Sequence, residues 1–256
     1  MDSVLREKII ELFEYRELPA LIKFENDNWD QAYYERLIQL QYDIYMLDHE
    51  LETNWEVDME VIQNRWKKIH SDLLDLGVSE NKLDKYCSHI YKYQKHELDI
   101  RKQLLPTRLS MEYFYFYKSC DVKLLRRIIY DNNKALAKEV KLADWRLFDL
   151  ITEINDDVTD VEEDVSTING NRFLISVLEH GVDFTIQLFN DFIQEISTRN
   201  KTVGDIGFGG IDINNWTSRE IGNTSALIQS QAEKIKNLNT DLYKTHLFST
   251  SLKHSL

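Results

Sequence analysis

The chain has 256 residues, 43% of them hydrophobic, with 8 glycines, only 2 prolines and a formal net charge of −13. That length supports one sizeable core or at most two small domains. The charge argues against a general nucleic-acid binder and against electrostatic docking on anionic membranes. Scarce breakers and long periodic segments predict an all-α protein.

In chain order, Ser3 is placed to cap a first helix running to about Glu17, broken by Pro19 and the polar stretch Glu25 to Asn28. A long helix from Asp30 to about Glu52 carries the stripe Leu37, Leu40, Ile44, Leu47 and Leu51. A third runs from Val57 to Leu76 and stops at Gly77. The fourth starts at Ser79 and reaches toward Leu105, where Pro106 ends it.

Ser110 to Lys118 is densely aromatic, and Asp121 is placed to cap the helix holding Leu124, Leu125, Ile128 and Ile129. An acidic helix follows from about Leu142 to Ile168, and Asn169-Gly170-Asn171 separates it from a helix over Arg172 to Ser197. Residues 200–215 hold four of the glycines and read as the main loop before a last helix from Ser218 to Leu242. The expected architecture is one helical domain over residues 1–244, a bundle of about nine helices, with a frayed tail over 245–256.

Cys87 and Cys120 form no disulfide framework or zinc pattern and read as small buried residues. The N-terminus carries acids where a signal peptide has a basic region, and no apolar run approaches bilayer-spanning length, so a cytoplasmic protein is expected. No histidine follows a Glu by three positions, and no His-Glu-x-x-His, Gly-Lys-Ser/Thr or strand-bounded Gly-x-Gly-x-x-Gly pattern occurs.

Residues 149–164 carry the chemistry. As a continuous helix, Asp149, Glu153, Asp156, Asp157, Asp160, Glu163 and Asp164 fall within an arc of roughly 120°, with Leu150, Ile151, Ile154, Val158 and Val161 opposite. No Lys or Arg lies among them, and carboxylates three and four apart repel by a few tenths of a kcal/mol per pair. A solvated face normally mixes both signs, so two readings stand: a solvated acidic face, or a row awaiting a hard divalent cation such as Mg²⁺. Lys118, Lys123, Arg126 and Arg127 before the row, and Arg172 after it, are the cations available for phosphate oxygens. The run Tyr113 to Tyr117 either packs in the core or lines an apolar cavity. Asp48 and Glu52 form a weaker pair on one helix face.

The stretch Asn155-Asp156-Asp157-Val-Thr-Asp160-Val-Glu-Glu163-Asp164, followed by Gly170-Asn-Arg172-Phe173, resembles the aspartate-rich motif of class I isoprenoid (terpenoid) synthases. It is closest in flavour to the squalene/phytoene synthase branch and its small bacterial members. The resemblance implies a helical bundle around an apolar cavity and a Mg²⁺-dependent transferase or lyase. Such an enzyme ionises an allylic prenyl diphosphate for cyclisation or condensation. It makes Asp156, Asp160 and Asp164 the metal ligands, with Asp160 central to catalysis and Asp157 and Glu163 as alternates. Arg172 becomes a diphosphate contact, with a vaguer likeness around Lys118, Arg126 and Arg127. A second metal motif on an opposing helix is implied, for which Asp43/Asp48 and Asn190-Asp191 are poor matches. Bundles of this kind often pair, which leaves a homodimer open. The rival reading is a non-catalytic helical binding or scaffold protein that docks a basic partner on its acidic face.

Overall fold

A computed structural model describes residues 2–24, 30–204 and 206–241, together with Lys244 and Leu247. The break at Glu25 to Asn28, the helix end at Leu242 and, Leu247 apart, the tail from Thr245 lie outside the described residues. The remainder is all-α, and its helices begin and end for local reasons.

Asp2, not Ser3, caps α1 (Ser3–Tyr15), its carboxylate accepting from Val4 N at 3.3 Å. Glu17 takes a left-handed φ of 59° and turns the chain into α2 (Leu18–Lys23). Pro19 therefore opens a helix rather than breaking one, since a missing N–H costs nothing in the first turn. Asp30 and Asp58 cap α3 (Gln31–Thr53) and α4 (Met59–Asp75). Gly77, at φ 88°, closes α4 as its sequence position predicts.

α5 (Leu83–Ile100) ends short of Leu105, because Gln103 turns left-handed at φ 61° and Leu104 N bonds back to Asp99 O. α6 (Met111–Lys118) and α7 (Cys120–Asn132) meet at Ser119, and a single turn, α8 (Leu136–Glu139), follows. Asp121 is not the cap of α7; its carboxylate accepts from Val122 N and from Gln41 Nε2 at 2.7 Å.

The acidic stretch is not one helix. A 3₁₀ turn at Leu142–Trp145 leads into α9 (Arg146–Thr159), the chain kinks at Asp160, and α10 (Val161–Asp164) is one further turn. At the kink, Thr159 Oγ1 bonds to the Asn155 and Asp156 carbonyls and competes with helix continuation. The helix expected over Arg172 to Ser197 is likewise two, α11 (Arg172–His180) and α12 (Val182–Thr202), split by Gly181 at φ 87°.

The glycine loop holds a two-residue antiparallel pair, Gly207–Phe208 with Ile211–Asp212. Asp212 then caps α13 (Ile213–Ile235) ahead of Ser218 by accepting from Asn215 N. Thirteen α-helices among the described residues replace the expected nine, the extra ones arising at turns the hydrophobic pattern does not register.

α9 is the axis of the molecule. It packs most extensively on α13 and also meets α6, α11 and α12. Leu150, Ile151, Ile154 and Val158 are fully buried along it, each stabilising the fold by about 1.5–3 kcal/mol. Asn155 Nδ2 donates to Thr224 Oγ1 of α13 at 2.9 Å, fixing the register of that contact. On the other side α3 gathers α1, α4 and α5. The space between α1, α3 and α9 stays open. No helix among the described residues is long and apolar enough to cross a membrane.

Candidate functional site

That space is a cavity of about 880 Å³. α1 presents Leu5, Lys8, Leu12, Tyr15 and Arg16 to it, a spacing of three and four that puts them on one helix face. α3 contributes Tyr45, Met46, Asp48 and Glu52, the latter pair one turn apart. Opposite them stand Glu153 and Asp156 of α9, Asp160 at the kink, and Glu163 and Asp164 of α10. Tyr93 of α5, Lys118 of α6 and Asp121 of α7 close the inner end, with Gly170 in the turn after α10.

With Glu11 included, nine carboxylates face three cations, Lys8, Arg16 and Lys118. The expected apolar cavity is therefore mixed: leucine, methionine and tyrosine share the α1–α3 wall with Glu11, Asp48 and Glu52, and α9–α10 add dense negative charge. The aromatic run does not line it. Tyr115 OH donates to Asp157 at 2.9 Å, while Tyr113 and Tyr117 pack on His96 and under Lys92. Cys87 and Cys120 are buried free thiols, as their setting in the sequence predicts.

Cations from distant parts of the chain answer many of the acids that have none nearby in sequence. Arg16 is 1% exposed and donates through Nη2 to Glu153 at 2.9 Å and Asp156 at 2.5 Å, and through Nη1 to Thr152. Arg126 pairs with Asp149 in the interior and stacks 4.1 Å from the Trp145 ring. Lys118 pairs with Asp157, and Lys8 reaches Glu163 at 3.3 Å. The carboxylates of Asp48 and Glu52 meet no donor among the described residues, and Asp164 has only Asn171 Nδ2, at 2.7 Å.

Burial makes this negative charge costly. It pushes Glu153 up to about 8 and Asp164 up to about 7. Asp48, Glu52 and Asp156 are raised for the same first reason, with neighbouring carboxylates adding to it. Glu97, behind Gly170, is 2% exposed and is raised by burial to about 7. Burial works against the charge of Lys118, yet Asp157 and Glu153 hold its ammonium above the usual range. Gly170 lies close against Glu97, where a Cβ would stand 2.8 Å from Oε1 and displace that carboxylate.

The structure brings together Asp156, Asp160, Glu163, Asp164 and Lys118 from the sequence-derived set. It places the others elsewhere. Asp157 is fully enclosed and accepts from Tyr115 OH, Lys118 and Arg172 N, which makes it a pin of the fold rather than a cavity group. Arg172 does not reach the cavity; its guanidinium donates to the carbonyls of Pro106 and Leu109, because the turn before it buries the side chain. Arg126 is spent on Asp149, and Arg127 points outward to Lys85 O and the Tyr86 ring.

Of the poorer second motifs, Asn190 and Asp191 are exposed on α12, whereas Asp48 stands in the cavity wall. Asp48 and Glu52 were legible as a one-turn pair. Arg16 was not, because its partners lie more than 130 positions away. No three His, Cys, Asp or Glu side chains among the described residues converge tightly enough to close a metal site by themselves.

Fold and site together define an all-helical protein with an acidic, partly open cavity in which two cations, Arg16 and Lys118, are enclosed. Comparison with protein-family models, with curated proteins and with solved structures gives no match.

Proposed function

We propose that this cavity binds Mg²⁺ together with a prenyl diphosphate, and that the protein is a class I terpenoid-synthase-like transferase or lyase. One observation carries the reading: carboxylates from separate helices, Asp48/Glu52 on α3 and Asp156/Asp160/Asp164 on α9–α10, line one cavity, and the charges of Glu52 and Asp164 act on each other. Their oxygens are the donor type that Mg²⁺ takes, and Mg²⁺ is commonly held by one or two carboxylates plus substrate phosphates rather than by a closed protein cage. The lack of a tight three-carboxylate group is therefore compatible with the proposal.

Lys8 at the mouth and Lys118 at the inner end supply positive charge for the remaining phosphate oxygens. Leu5, Leu12, Met46, Tyr15, Tyr45 and Tyr93 offer an apolar and aromatic side for a hydrocarbon chain and keep water from it. When bound, Mg²⁺ supplies Lewis-acid stabilisation of the departing diphosphate.

The test is diphosphate release from geranyl, farnesyl and geranylgeranyl diphosphate with Mg²⁺, in wild type and in Asp160→Ala. Release that the variant loses supports the proposal, and no release from any of the three removes it.

A second reading, a non-catalytic binding or scaffold protein, is favoured by the internal ion pairs that already neutralise Asp149, Glu153, Asp156 and Asp157. A thermal shift that needs Mg²⁺ and pyrophosphate together favours the enzyme. Stabilisation by a basic peptide alone favours the scaffold.

A further inference from the structure

The α3–α4 junction holds two acids outside the cavity lining. Asp43 of α3 is 3% exposed and accepts from Gln39 Nε2 at 2.6 Å through Oδ2. Its Oδ1 is enclosed without a donor, and so is Oδ2 of Asp72 on α4. The two carboxyl groups lie within hydrogen-bonding reach of each other.

Two ionised carboxylates at that range repel, and neither has a hydrogen to give. After Asp43, the charged groups that act most on Asp72 are its α4 neighbours, Asp75, which adds to the repulsion, and Lys68, which partly offsets it. Neither gives a hydrogen bond to the orphaned oxygens. A single proton placed between the two acids satisfies both oxygens and removes the repulsion at once, as in other carboxyl dyads.

We propose that Asp43 and Asp72 share one proton and form a pH-sensitive latch between α3 and α4. Burial first, and then the Asp43 charge, raise Asp72 to about 7, so the shared proton is held up to neutral pH and lost above it. Asp43 lies little more than one turn before Asp48, so the latch braces the helix that supplies the α3 wall of the cavity.

The sign follows from linkage. The folded state keeps a proton that the unfolded chain releases near pH 4, so the latch's contribution declines as pH climbs from about 4 to about 7 and is level above. The test compares wild type with Asp72→Asn, whose amide donates to Asp43 at every pH. The Tm difference, variant minus wild type, should grow by about 5 °C between pH 4 and pH 7.5. A difference independent of pH overturns the latch. Carboxyl ¹³C NMR on the wild type needs no variant. A titration step of Asp72 near neutrality supports the proposal, and Asp72 titrating below pH 5 refutes it.

Discussion

Arg16 and Glu153 form an ion pair in the interior, Nη2 to Oε1 at 2.9 Å, joining the end of α1 to the centre of α9. Removing one partner of such a pair leaves an uncompensated buried charge, which costs about 3–5 kcal/mol. Above pH 8, where Glu153 is ionised, Arg16→Met should therefore lose stability of that order in urea unfolding, since it also strips Asp156 and Thr152 of a donor. Adding Glu153→Gln should recover part of the loss, and a double-mutant cycle measures the coupling.

Raised carboxyl groups give the cavity a pH signature. Glu153 titrates at about 8 and Asp164 at about 7, each lifted first by burial, whereas both titrate near 4 when unfolded. The folded state binds more protons between those limits, so stability is greatest in mild acid and falls as pH rises toward 8. Tm should drop by roughly 5 °C or more between pH 5 and pH 8.5. Added Mg²⁺ should return part of that loss at the alkaline end, where the carboxylates are ionised.

Asp157 and Asp160 are neighbours on the motif with opposite expected phenotypes. Asp157→Ala removes the acceptor for Tyr115, Lys118 and the Arg172 amide, and should cost about 3 kcal/mol or more. Asp160, exposed at the kink, should change stability by no more than about 0.5 kcal/mol when replaced by Ala. Chemical denaturation of the two variants checks the contrast. Loss of activity in Asp160→Ala would then be chemical rather than structural.

Gly170→Ala places a methyl 2.8 Å from Glu97 Oε1, the unpartnered end of a flexible side chain, and 3.3 Å from Ile100 Cδ1. Because Glu97 can swing aside, a loss of no more than about 1 kcal/mol is expected, read by thermal unfolding.

The helical class and the apolar stripes were legible because α-helical periodicity is a local signal, as Leu37 to Leu51 on α3 illustrates. The helix start near Asp30 and the stop at Gly77 were local too, and they stand where the pattern puts them. The kink at Asp160 and the break at Gly181 were not, since each interrupts a hydrophobic pattern that continues smoothly on both sides.

For the site, α9 and α10 show their carboxylates in sequence, but what neutralises them does not. Arg16, Lys118 and Lys8 arrive from other helices, and a one-dimensional reading cannot pair them with Glu153, Asp157 and Glu163. Arg172 shows the converse. Adjacent to the motif, it is pulled away by the Pro106 and Leu109 carbonyls.

Calorimetric titration with inorganic pyrophosphate, with and without Mg²⁺, asks most directly whether the acids of α3 and α9–α10 that line the cavity hold a metal–diphosphate unit. Pyrophosphate should bind only when Mg²⁺ is present, and the heat should vanish in an Asp48→Asn/Asp160→Asn double variant that keeps the wild-type Tm at pH 5. No heat in the wild type, or unchanged heat in the double variant, would contradict it.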